Sequence, residues 1–137
     1  MAKISGAGMK QIILKLPYPP SNNRVCRFGS GRTYTPANVT KYKQAVKLIY
    51  DLSPYKKIKF EKGELIKATL FCNVETIARD VDNMPKVIFD AMKDAGAIYD
   101  DKYIFDMRVI KNVTGKNKGY VILDFELLEM GPEPWKD

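Results

Sequence analysis

At 137 residues, with 45% hydrophobic and 28% charged side chains, the chain suits one domain with a real core and is short for two. It contains no histidine, which excludes Ser-His-Asp and Cys-His catalysis and the histidine-dependent metallonuclease mechanisms. The formal charge of +7 is unevenly spread: residues 1–60 hold 12 Lys/Arg and 1 Asp/Glu, whereas residues 61–137 hold 11 and 15, so one part attracts polyanions and the other can hold cations.

Residues 1–9 are small, polar and aperiodic and are expected to be a disordered leader, with the folded domain over 10–130 and a Pro-containing tail over 131–137. No run of about 18 apolar residues exists and the start lacks a secretory apolar segment, so a cytoplasmic protein without membrane contact is expected. Gln11 to Leu16 reads as a short strand, ended by Pro17-Tyr18-Pro19-Pro20-Ser21-Asn22-Asn23, which cannot continue a ladder. The next stretch mixes Arg24, Arg27 and Arg32 with Phe28, Tyr34 and Gly29-Ser30-Gly31, a combination suited to phosphate contact and base stacking or to an ordinary exposed hairpin. Thr35-Pro36 then has the chemistry of a helix start. A helix to about Leu52 should bury Val39, Tyr42, Ala45, Val46 and Ile49 and leave Lys41, Lys43 and Lys47 mainly outside.

Glu64 to Asn73 alternates as a strand and leads to Arg79-Asp80-Val81-Asp82-Asn83-Met84-Pro85-Lys86, the most chemically suggestive stretch. On an extended backbone, Asp80 and Asp82 leave the same face, so their oxygens can converge on one hard cation. A second helix should start around Pro85, bury Val87, Ile88, Ala91, Met92 and Ala95, and stop at Gly96, with Lys86, Asp90 and Asp94 on its polar side. Asp101 is the best third ligand from the far end of that helix, and Asp100 competes, because neighbours on an extended segment face opposite ways. Lys86 would neutralise phosphate or steady an attacking water, or else pair with Asp82 or Asp90. The alternation through Tyr103 to Val113 and again through Tyr120 to Leu128 predicts an antiparallel hairpin turning over Thr114 to Gly119. Cys26 and Cys72 lack CxxC spacing, so free thiols are expected.

These blocks, from Leu16-Pro17-Tyr18-Pro19-Pro20-Ser21-Asn22-Asn23-Arg24 through Gly31-Arg32-Thr33, Arg79-Asp80-Val81-Asp82-Asn83 with Lys86, Phe89-Asp90-Ala91, Ala95-Gly96, Asp100-Asp101 and Arg108-Val109-Ile110-Lys111, resemble the RusA family of Holliday-junction resolvases, often carried by phages and prophages. The resemblance implies an α+β fold: a small single domain whose mixed β-sheet is backed by two main helices. It also implies a Mg²⁺-dependent homodimer, with Mn²⁺ as a possible substitute, that nicks opposing strands of four-way DNA junctions symmetrically in recombination, repair or phage DNA processing. By motif, Asp80, Asp82 and Asp101 become the metal-binding acids, Asp100 a supporting candidate and Lys86 the essential lysine. Asn23, Arg24, Arg27, Arg32, Arg79 and Lys111 are the candidate DNA contacts. A non-catalytic junction-binding relative is the competing reading; a phosphatase using Asp-x-Asp ranks last, because Glu75-Thr76-Ile77-Ala78-Arg79 makes a poor buried strand.

Overall fold

A computed structural model describes residues 10–20, 26–27, 33–34, 37–77, 84–115 and 119–128, and the expected leader 1–9 and tail 131–137 lie outside them. The first strand, β1 (Gln11–Pro17), sends Ile12, Leu14 and Leu16 into the core and Gln11, Ile13 and Lys15 outward, as its strict alternation dictates. Two short strands, β2 (Cys26–Arg27) and β3 (Thr33–Tyr34), pair antiparallel as a separate ribbon. Helix α1 (Ala37–Asp51) buries Val39, Tyr42, Val46 and Tyr50. Three of these belong to the expected stripe, whereas Ala45 and Ile49 are only half-buried. Tyr50 takes the remaining inward position because its hydroxyl donates to the Ile58 carbonyl at 2.7 Å, so its polar end is satisfied inside. The expected cap, Thr35-Pro36, falls outside the described residues.

Strand β4 (Ile66–Val74) is the centre of a four-stranded sheet ordered β1-β6-β4-β5, where β5 is Ile104–Val113 and β6 is Tyr120–Leu127. Between β4 and β5 runs helix α2 (Met84–Asp94), so the chain returns along the sheet and β5 joins β4 in parallel. Here the sequence expectation needs correction: β5 and β6 do not form a hairpin, because β4 lies between them, antiparallel to β6. Apolar content explains the order. Ile66, Ala68, Leu70, Cys72 and Val74 on β4 and Val121, Leu123 and Phe125 on β6 are buried, so these strands take central places; β5, carrying Asp106, Arg108, Lys111 and Asn112, takes an edge. The resulting sheet is mixed and backed by two helices, which is the expected α+β architecture.

All five residues of the expected α2 stripe, Val87, Ile88, Ala91, Met92 and Ala95, are buried, and Phe89 joins them by packing its ring 5.9 Å from that of Phe125. Gly96 ends the helix with φ +87°, a left-handed conformation that frees the chain to turn toward Ala97, whose N–H returns to the Met92 carbonyl. A Cβ placed there would meet no atom within 4 Å, so substitution costs backbone strain alone. Gly96→Ala should therefore lower stability by about 1 kcal/mol, read as a fall in Tm of roughly 3–5 °C by calorimetry. An unchanged melting curve would show that this turn relaxes without strain.

Candidate metal centre and nucleic-acid surface

Several contacts fix the elements that carry the candidate residues. The buried Tyr42 hydroxyl donates to the Pro17 carbonyl at 2.8 Å, tying α1 to the end of β1 where the Pro17–Asn23 run departs. Burial pushes the pKa of this phenol far above its ordinary value, so it remains a donor. At the other end of β1, Lys10 donates to Glu64 and to the Lys59 carbonyl, each at 2.7 Å. Burial alone would raise the pKa of Glu64, but the hydrogen bond from Lys10, the Glu61 N–H and the charge of Lys10 together hold it below the usual carboxylate range.

The C-terminal end of β4 is pinned to β5. The Asn112 amide donates to Asn73 at 2.8 Å, the Thr114 N–H donates to the Val74 carbonyl at 2.8 Å, and Lys111 Nζ donates to the Ile77 carbonyl at 2.6 Å. Lys111, read from the sequence as a DNA contact, thus also holds the segment that leads to the acids. A small cavity of about 120 Å³ opens here between Tyr18, Val74, Glu75 and Gly119. Sequence reasoning does not single out Glu75; its only signal is its place directly after a strand that points at the acidic stretch.

Asp80, Asp82 and Arg79, like Asn23, Arg24 and Arg32, lie outside the described residues, and Arg27 falls in β2. Lys86 is exposed on the first turn of α2, and its Nζ lies 3.6 Å from Asp90, an i,i+4 pair of small energetic weight. Asp94, on the same polar side, faces away to Lys43 of α1 at 3.2 Å and clamps the two helices. Asp100 and Asp101 stand beside the last turn of α2. Asp100 has structural work: it caps the single 3-10 turn Asp101–Tyr103 by accepting from the Lys102 N–H at 3.1 Å, and it meets Lys93 at 3.6 Å. The hydrogen bonds from Lys102 N–H and from Asp101, followed by the charges of Lys93 and Lys102, hold its carboxyl below the usual range. Asp101 is thus the side-chain partner of Asp100 and opens the turn that Asp100 caps.

The described candidates are not brought together within one chain. Lys86 and Lys93 are seven residues apart on α2, a rise of about 10 Å, and Asp101 lies just past Lys93. The strands repeat the separation. Val74 pairs with Val113 at one end and Ile66 with Ile104 at the other, about 26 Å away, and Asp101 precedes Ile104. Residues 75–77 thus leave β4 from the sheet end opposite to Asp101. Among the described residues no three acids, cysteines or histidines form a metal-binding group. The donor types nevertheless suit a hard cation: the acids offer oxygen ligands, whereas Cys72, the soft donor described, is buried, with its thiol pushed up to about 11 by burial.

The described residues form a small α+β protein with a mixed sheet, in a chain whose first 60 residues are nearly free of acids. Comparison with known proteins narrows the class. The family described as Endodeoxyribonuclease RusA matches residues 17–123, and the chain belongs to that family. It is 34% identical over 128 residues to the "Crossover junction endodeoxyribonuclease RusA" of Escherichia coli (strain K12), covering 91% of this chain and 100% of the relative. The protein of the same name from Shigella sonnei (strain Ss046) matches with the same identity and coverage. The counterpart from Enterobacteria phage 82 is 34% identical over 121 residues, or 88% of this chain and 96% of the relative.

Proposed function

We propose that this protein is a divalent-metal-dependent endodeoxyribonuclease that cuts four-way DNA junctions by paired, symmetric nicks. The observation that carries the reading is the family match over residues 17–123, which contains every proposed acid and Lys86. Asp80, Asp82 and Asp101 would hold Mg²⁺, or Mn²⁺ in its place. Bound there, the cation would polarise a phosphate oxygen and lower the pKa of a water. Lys86, exposed at the positive end of α2, neutralises the scissile phosphate, and the helix's first N–H groups favour the same anion. Asn23, Arg24, Arg27, Arg32, Arg79 and Lys111 contribute to DNA contact, and Asp100 positions Asp101 through the turn it caps.

A centre shared between two chains suits this chemistry. Ligands of one Mg²⁺ lie about 2.1 Å from it and hence within roughly 4 Å of one another. The length of α2 holds Asp101 away from the start of the helix, next to which Asp82 sits in sequence. This separation supports a centre that takes Asp80 and Asp82 from one protomer and Asp101 from the other, so that a homodimer would have two centres, one for each strand cut. The test is purified protein on a synthetic four-way junction, with Mg²⁺, Mn²⁺ or EDTA, and linear duplex as control. Metal-dependent nicking of the junction alone is expected. Junction binding without cutting in any metal would instead support a non-catalytic module, and equal cutting of both DNAs would reject junction selectivity.

A further inference from the structure

Strand β5 is an edge of the sheet, ten residues long, and its outer side exposes Phe105 at 57% and Met107 at 53%. The free N–H and C=O groups of so long an edge can template strand addition, and its charges restrict which strand fits. Two charges flank Met107, Asp106 and Arg108, and among the described residues neither has an ion-pair or hydrogen-bond partner. We infer that β5 pairs antiparallel with β5 of a second copy of this chain, about a two-fold axis midway between Met107 and its own copy, and so joins two four-stranded sheets into one. The inference rests on the two-chain reading above and assigns its interface.

Symmetry selects the register. A two-fold axis relating antiparallel copies of one strand stands perpendicular to the sheet and passes midway between a residue and its own copy. Centring on Arg108 or Asp106 sets like charges face to face, and centring on Val109 leaves both charges opposite uncharged residues. Centring on Met107 alone sets Asp106 opposite Arg108 of the partner subunit, twice over, with Phe105 opposite Val109 of the partner subunit. The β-bulge between Ile66 and Lys67 falls outside this central triplet. The same rotation carries the Asp101 end of one chain's β5 toward the Val113 end of the partner's β5, beside which residues 75–77 leave β4.

Charge reversal with rescue tests the register. Sedimentation or light scattering should show the native protein as a dimer. Asp106→Arg and Arg108→Asp should each raise the dimer dissociation constant by about tenfold or more, and the double reversal should restore it. Met107→Cys should crosslink to its own copy with a short bis-maleimide, whereas Phe71→Cys, on the open sheet face, should not. A dimer indifferent to both single reversals, or one crosslinked through Phe71→Cys and not Met107→Cys, overturns this interface but leaves a two-chain site standing. A native protein that cuts junctions as a monomer overturns both. Rescue by the double reversal separates loss of pairing from loss of folding.

Discussion

Asp82→Asn is expected to reduce junction cleavage by about a thousandfold or more while leaving junction binding intact. Asparagine preserves the size of the side chain but removes the charge with which Asp82 would hold a hard cation, so the loss should fall on the chemical step. Binding should persist or tighten, because phosphate contact depends on the basic side chains and one carboxylate that repels DNA is gone. Single-turnover cleavage of a four-way junction and a gel-shift titration in Ca²⁺ measure the two separately. Cleavage within tenfold of native would remove Asp82 from the ligand set.

Mixing two inactive variants should restore activity. If each centre draws Asp82 from one chain and Asp101 from the other, an Asp82→Asn protomer paired with an Asp101→Asn protomer has one doubly damaged site and one intact site. Random association then returns about a quarter of the native sites, all in heterodimers, and these dimers nick one strand rather than two. Co-refolding the variants and following nicked against fully resolved junction measures this. If all three acids came from one chain, every protomer would be dead and the mixture would remain inactive. Recovered nicking therefore supports a centre shared across the separation imposed by α2, and a mixture that stays inactive refutes it.

Much of this layout was legible in the residues themselves. The spacing of Val87, Ile88, Ala91, Met92 and Ala95, closed by Gly96, located α2 because a local period and a local stop signal both belong to the same short segment. The alternation of β1 and β4 likewise showed which side chains point inward. Strand order was not legible. Tyr103–Val113 and Tyr120–Leu128 look like a hairpin because they are close in sequence, but pairing is decided by which strands can bury both neighbours, and β4 outcompeted the local partner. The candidate site divides in the same way. The candidate acids and lysine were proposed from motif and spacing, whereas the distance between the ends of α2 emerges only when helix and strands are laid side by side.

The buried Tyr42 bears on how a pH–rate profile of this protein should be interpreted. Its phenol is held in the protonated form by burial and by its bond to Pro17, so it adds no inflection within the working range. Cys72, at about 11, is equally silent near neutrality, and the chain has no imidazole. A kinetic inflection near neutral pH would therefore point first to the reacting water rather than to either of these side chains. The tether that anchors the first loop leaves that part of the profile uncluttered.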